Sequence, residues 1–357
     1  RANCARLPDI ALSKLRGTSS EIGGGFGGKI IVYLEPLALA LSKKAGQPVK
    51  MTMTRDEVLR ASGPTSGSFI RAKIGATKDG RLTAGQVELH YQAGAFPGAP
   101  VMPGVMCAFA PYDLENVEAV AFDVVSNRPK VAAYRAPGAP MSEYAVEATI
   151  DEICNKIGMD PVEFRLKNAA REGTRAAFGP KFGPIGLVET LEATKNHPNY
   201  HVPLGPNQGR GVASGFWFNI GGETSVTVNV IEDGSITVMT GLPDIGGSRA
   251  SLALMVAEAL GVDYDKVRPI VADTAAPGFP FITAGSRGTF SGGLAAHKAS
   301  QIAIDELRSR AAKIWDIPVD AVEWKDGAAH PAGSNAGEFD PLSLAEIAKT
   351  AGKTGGP

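Results

Sequence analysis

The chain has 357 residues, 44% hydrophobic and 20% charged, the proportions of a folded protein long enough for two domains. A net charge of −1 offers no basic surface to nucleic acid or acidic lipid, and no apolar run is long enough to span a membrane. Three scattered cysteines, Cys4, Cys107 and Cys154, lack the spacing of a zinc site, an iron–sulfur cluster or a disulfide framework, which fits a reduced, cytoplasmic setting.

In chain order, residues 7–18 read as the end of a short helix and a connection into a glycine-rich stretch. Leu34 to Ala45 has helical spacing, with Gly46 as its stop and Pro48 beyond. Val49 to Thr54 alternates apolar and polar residues, which predicts a strand. Phe69 to Thr77 and Leu82 to Gln92 are predicted strands joined by Lys78-Asp79-Gly80-Arg81, a hairpin signal. Ala93 to Tyr112 carries Pro97, Pro100, Pro103 and Pro111 and reads as loop, suited equally to a pocket wall or a plain buried connection. Asn116 to Ser126 is a strand, and Ser142 to Ile157 a helix closed by Gly158. Glu143, Glu147 and Asp151 on that helix fit a solvated face better than a catalytic pair. Asp160 caps the next helix, with Pro161 at its first position.

Residues 196–208 are rich in Asn, Pro and Gly and mark the expected boundary between a first domain, 1–196, and a second, 209–357. His197 and His201 fall there as loop residues, because Pro198 keeps them off a common helix face. A second hairpin, Ser225 to Glu232 and Ser235 to Thr240, turns at Asp233-Gly234. Ser248 to Leu260 is a helix, Lys266 to Ala272 a strand, and Ala295 to Trp315 a long helix on which His297 is an ordinary position. Hairpins and irregular alternation predict an α+β fold with mixed sheets and packed helices, not a doubly wound sheet.

The most distinctive stretch is Glu21-Ile22-Gly23-Gly24-Gly25-Phe26-Gly27-Gly28-Lys29. Glycines permit positive φ and close approach of a ligand to backbone N–H groups. Gly23-x-Gly25-x-x-Gly28 matches the dinucleotide pattern, but no acid stands about 20 residues on. Gly23 to Lys29 nearly matches a P-loop, but Ile30 stands where the Mg²⁺-binding hydroxyl is needed. A non-catalytic nucleotide-binding module using Gly23 to Lys29 is therefore the alternative reading, and a tight turn with no ligand the plainest one.

Three later stretches carry similar chemistry. Ala133-Tyr134-Arg135-Ala136-Pro137-Gly138-Ala139-Pro140 places an arginine in a Pro/Gly turn ahead of a helix. Asp244-Ile245-Gly246-Gly247-Ser248-Arg249 and Gly285-Ser286-Arg287-Gly288-Thr289-Phe290-Ser291-Gly292-Gly293 each set N–H groups, hydroxyls and an arginine at a helix start, as phosphate binding needs. Each taken singly fits a capped surface helix as well. Together, in this order, the four resemble the molybdenum hydroxylases, the xanthine dehydrogenase and aldehyde oxidase family. Asp151-Glu152-Ile153-Cys154 and Asp160 through Asn168 resemble it too.

The resemblance implies the molybdopterin-binding subunit of an oxidoreductase that hydroxylates an aldehyde or an aromatic N-heterocycle with water as oxygen source. It implies a molybdopterin, in dinucleotide form, carrying molybdenum that the pterin rather than the protein holds. It places Gly24, Gly25, Phe26, Gly27 and Arg135 near the metal and pterin, Gly246, Gly247 and Ser248 beside the pterin, and Gly285, Ser286, Arg287 and Thr289 at the phosphate tail. It also implies [2Fe–2S] and FAD partners and a dimer of heterotrimers. The family's general base is a glutamate near the subunit's C-terminus, expected beyond Pro357. The absence of an initiator Met at Arg1 and the loop at the end lead to the expectation of a piece of a longer polypeptide.

Two departures from the family pattern matter. Many members have Gly-Gln-Gly where this chain has Gly246-Gly247. Purine-oxidising members have a glutamate at Ile30 and an aromatic residue at Pro137, so the substrate pocket formed by Phe26, Ile30 and Pro137 is expected to disfavour purines.

Overall fold

The computed structural model describes residues 2–6, 9–275 and 278–355. Leu7 and Pro8, within the expected first helix end, and Pro357 lie outside the described residues. The first half runs α1 (Ala2–Arg6), α2 (Glu35–Ala45), α3 (Arg55–Ala61), β1 (Ser68–Ala76), β2 (Leu82–Gly94), α4 (Val101–Ala108), β3 (Asn116–Val125), α5 (Ala139–Ile157), α6 (Pro161–Asn168) and α7 (Leu187–Asn196). The second half runs β4 (Val226–Val230), β5 (Ile236–Thr240), α8 (Ser248–Leu260), β6 (Val267–Val271), α9 (Arg287–Trp315), β7 (Val322–Lys325), β8 (Ala328–Pro331), β9 (Leu342–Ser343) and α10 (Leu344–Lys349). The fold is α+β, with sheets ordered β1-β2-β3, β4-β5-β6 and β7-β8-β9. Contacts divide the chain into one unit of Arg1–Gly25, Val32–Met51 and Asn219–Pro357, and another of Phe26–Ile31 and Thr52–Phe218. These units interleave in sequence, whereas the division at 196–208 follows sequence order.

In the unit holding Thr52–Phe218, β1 and β2 pair antiparallel and β3 joins β2 in parallel. Gly80 takes φ 81° at the predicted hairpin. Asn168 holds that turn, accepting from Leu82 N at 2.9 Å and donating to Gly80 O at 2.8 Å. Val87, Leu89 and Tyr91 point to one face and are fully buried with Phe109, Val146, Ile150 and Phe164. Two expectations fail here. Val49 to Thr54 forms no strand, because Thr54 is the N-cap of α3 in a reciprocal capping box with Glu57. The proline-rich 93–112 is not all loop, because Pro103 falls in the first turn of α4, where its missing N–H has no helical partner to lose.

In the other unit, β4 and β5 form the predicted hairpin, and β6 pairs parallel to β5 after α8. The long helix starts at Arg287, not Ala295, so Gly288, Gly292 and Gly293 are helical. Their place is steric: a Cβ on Gly292 would lie 2.6 Å from Leu242, and one on Gly293 2.6 Å from Met255 of α8. The glycines let α9 pack closely on α8 over a core that includes Val256, Leu260, Leu307 and Trp315. The β7-β8-β9 sheet and α10 complete this core.

Candidate functional site

In the unit that carries α8 and α9, the segments before the two helices meet around a cavity of about 220 Å³. Leu242, Pro243, Ile245, Ser248, Thr283, Ser286, Gly288 and Thr289 line it. The first glycine stretch reaches the same region: Ile22 bridges to Ile245, and Ile22 N–H donates to Asp244 O at 3.0 Å. Gly24 closes a tight turn, with φ 93° and its N–H 2.7 Å from Ile22 O. Gly246 and Gly247 take φ 64° and 103°, and nothing stands within 4 Å of where a Cβ would project, leaving an open backbone surface.

The two helix starts are not equivalent. Asp244 accepts from Gly247 N at 3.0 Å and Arg249 N at 3.3 Å, so a fixed carboxylate already answers the first N–H groups of α8. Burial raises the Asp244 pKa, but the Arg249 and Gly247 N–H groups and Ser248 outweigh it, leaving the carboxyl below its usual range. The Arg249 guanidinium pairs with Glu21 at 2.5 Å and Asp244 at 3.4 Å. Ser248 Oγ is also engaged internally, accepting from Ile245 N at 3.2 Å and lying 3.1 Å from Pro243 O, to which it donates. At α9, by contrast, the N-cap Ser286 stands at φ 60° and makes no side-chain cap. The start of this 29-residue helix therefore faces the cavity without a protein acceptor from its N-cap, the usual setting for an anion.

Arg287 does not extend its side chain to such an anion. It is fully buried, and its guanidinium donates to Gly221 O at 2.8 Å, Phe281 O at 3.0 Å, Gly222 O at 3.0 Å and Glu223 O at 2.9 Å, and to Thr224 Oγ1. The side chain instead braces residues 221–224, and its backbone remains at the helix start. Gly285 is required for close approach, since a Cβ there would fall 2.6 Å from Ile220.

The second patch lies within the unit of Thr52–Phe218, to which Phe26–Ile31 belong. Arg135 N donates to Phe26 O at 2.6 Å, tying the second family stretch to the first. Phe26, Arg135 and Ala136 take φ 49°, 24° and 53°, left-handed values that are unfavourable for such residues and accumulate at functional sites. Gly27 sits so close to Ala133 that a Cβ would lie 2.6 Å from its carbonyl oxygen. The loop is anchored from β2, where Tyr91 OH donates to Gly138 O at 2.8 Å. Burial raises the Tyr91 phenol to about 12, so it remains a donor. Ile30 N–H closes the turn on Gly27 O at 3.1 Å, and Ile30 and Pro137 are half-buried. The turn does not open a helix, since α2 begins only at Glu35, and Ile22 before it makes a single bridge rather than a strand. The strand–loop–helix context of a nucleotide loop is thus missing.

Sequence periodicity misjudged the acids of α5. Glu147 is 6% exposed and accepts from Arg165 Nε at 2.9 Å and Nη2 at 2.7 Å, from Ser214 N at 2.7 Å, and from Tyr112 OH. Glu143, one turn earlier, accepts from Phe216 N at 2.7 Å, and burial raises its pKa. The four-residue step along the helix, a rise of about 6 Å, is close to the roughly 6.7 Å between alternate N–H groups of extended chain. The two carboxylates therefore grip residues 214–216 from α5. Asp151 joins through Arg165 Nη2 at 3.0 Å. This is a buried brace, not a solvated face, and its cue in the sequence was an arginine within a helix that also buries Val162 and Phe164. His197 and His201 are exposed; His201 Nε2 lies 2.6 Å from Lys195 O. Among the described residues no cluster of His, Cys, Asp and Glu could hold a metal ion, and no helix is long and apolar enough to cross a membrane.

Residues 1–169 and 189–356 each match a molybdopterin cofactor-binding domain. The chain belongs to the molybdenum hydroxylase family. It is 33% identical over 199 residues, 55% of its length and 47% of the relative's, to the nicotinate dehydrogenase large molybdopterin subunit of Eubacterium barkeri. It is 30% identical over 303 residues, 81% of its length and 40% of the relative's, to the aldehyde oxidoreductase molybdenum-binding subunit PaoC of Escherichia coli. Quinoline 2-oxidoreductase from Pseudomonas putida 86 shares the fold, with a TM-score of 0.87 at 22% identity, over 100% of this chain and 49% of that one. The chain thus spans less than half the length of these relatives. The match covers both halves of the chain and favours a hydroxylase subunit over a nucleotide-binding module built on Gly23 to Lys29.

Proposed function

We propose that this chain is the cofactor-holding part of an oxidoreductase that hydroxylates an aldehyde or an aromatic N-heterocycle, with water as the oxygen source. The observation that carries the reading is the 220 Å³ cavity at the start of α9, where no side chain caps the helix and the Gly246-Gly247 backbone lies nearby. Its donors suit a pterin with a phosphate tail. Ser286, Gly288 and Thr289 provide N–H groups and hydroxyls, Gly285 permits the turn, and Arg287 holds the neighbouring carbonyls in place. In the unit that carries α8 and α9, Gly24, Gly25, Gly246, Gly247 and Ser248 would hold the pterin; in the other unit, Phe26, Gly27 and the Arg135 backbone are the residues assigned to the metal. The dinucleotide form of the cofactor is part of this proposal.

When bound, molybdenum supplies the two-electron oxidation. The chain's own part is to orient the cofactor and to shape the substrate pocket. Ile30 and Pro137 stand where purine-oxidising members have a carboxylate and a ring, so a purine would lose its polar and stacking partners on desolvation. Electrons leave through [2Fe–2S] and FAD partners, in a cytoplasmic dimer of heterotrimers. In sequence order the molybdopterin-binding subdomains are 1–196 and 209–357.

Metal and pterin analysis of the full-length protein tests the core of the reading. Stoichiometric molybdenum with a pterin is expected, and neither would refute it. Comparable kcat/KM for xanthine and a simple aromatic aldehyde would refute the substrate class.

A further inference from the structure

We propose that the Arg135 guanidinium selects an anionic substrate, an aldehyde or N-heteroaromatic ring that carries a carboxylate; this deepens the function proposed above and rests on it. The three arginines of the family stretches differ in what they hold. Arg287 is consumed by four carbonyls and a hydroxyl, and Arg249 by two carboxylates. Arg135 is exposed, and among the described residues its guanidinium makes neither a hydrogen bond nor an ion pair. Its one side-chain partner is the Phe26 ring, whose centroid lies 6.0 Å from Cζ.

The backbone shows that this placement is built. Arg135 and Phe26 both hold positive φ and are joined by the 2.6 Å hydrogen bond between Arg135 N and Phe26 O. A cation needed only for solubility would call for no such conformation. Phe26 is 60% exposed, so the pair presents an aromatic face beside a planar fork of N–H donors. An aromatic acid matches both halves: its ring lies against Phe26 while its carboxylate takes a bidentate bond from Arg135. A neutral ring fills only the first half.

The test uses the complete enzyme with its partner subunits, comparing 4-carboxybenzaldehyde with benzaldehyde. The wild type is expected to prefer the carboxylate. In Arg135→Gln the ratio of the two kcat/KM values should fall about ten- to hundredfold, mainly through KM, as expected for losing a charge-assisted hydrogen bond. Any loss common to both substrates, such as lower cofactor content, cancels in that ratio. Arg135→Lys should recover part of it, since it keeps the charge without the fork. Calorimetric binding of benzoate, with benzamide as the neutral control, should weaken by the same factor and with added salt. An unchanged ratio, a wild type that prefers benzaldehyde, or equal benzoate affinity in wild type and Arg135→Gln would overturn the proposal and leave the hydroxylase reading standing. A wild type with molybdenum and pterin that oxidises neither aldehyde would overturn both.

Discussion

Arg165→Met tests whether the brace that ties α5 to α6 and to Ser214 is a single electrostatic unit. Arg165 is fully buried, and Glu147, its main partner, is 6% exposed. Removing the guanidinium leaves that carboxylate with only Tyr112 OH and Ser214 N–H as donors, neither of them charged. Breaking a buried pair from one side typically costs about 3–5 kcal/mol. For a unit of this size each kcal/mol moves Tm by about 2–4 °C, so calorimetry of the full-length protein should show a drop of roughly 6–20 °C. Glu147→Gln in the same background should restore more than half of the loss, because the amide oxygen still accepts from Ser214 while the unmatched charge is gone. A drop equivalent to less than about 1 kcal/mol, the range of exposed ion pairs, would refute the reasoning. So would strict additivity of the two substitutions, which side chains in direct contact should not show.

Other outcomes follow from the same geometry. The Glu143 pKa is raised by burial, so its contribution to stability is fully present below the ordinary carboxylate range and is lost as pH rises through the raised value. Glu143→Gln should therefore flatten the pH dependence of Tm and stabilise the protein more at pH 7 than at pH 4; denaturant melts that keep the wild-type slope would contradict this. Asp244 has the opposite sign, a lowered pKa whose stabilisation is lost as pH falls through it, and Asp244→Ala should cost about 1 kcal/mol as the α8 cap is lost. Gly247→Ala places a Cβ at φ 103° and should lower the molybdenum content of the purified enzyme while leaving α8 intact by circular dichroism. Arg287→Ala should also lower that content, by releasing residues 221–224. Full molybdenum content in either variant would show that this backbone does not shape the cofactor site.

The fold was legible where a local rule decides the outcome alone. Gly46, Gly158 and Gly261 end their helices in the left-handed conformation, and Asp160 caps α6 with two hydrogen bonds. Both hairpins form at their Asp-Gly turns. Reading failed where two rules competed. Alternation at Val49 to Thr54 lost to the capping box of Thr54 and Glu57, since a lone alternating segment without a pairing partner gains nothing from being extended. The glycines at 288–293 suggested a loop, but helix propensity is a weak preference of about 1 kcal/mol per glycine. Close packing of α9 on α8, which no local window reveals, outweighs it.

The site shows the same limit from the chemical side. Motifs marked segments where the backbone bends or is approached closely, because glycine patterns record that, and it is a local property. They did not reveal which atoms stay free, because that depends on residues far away in sequence. Arg249 is taken by Glu21, Arg287 by carbonyls of residues 221–223 and 281, and the α8 start by Asp244. Three equivalent-looking arginines beside glycines thus become two structural braces and one free cation. Two equivalent-looking helix starts become one filled internally and one without a side-chain cap. On the proposed reading, the N-terminus of α9 is the place for an anionic tail and Arg135 the place for an anionic substrate. At these two places the protein's own polar groups leave binding capacity unspent.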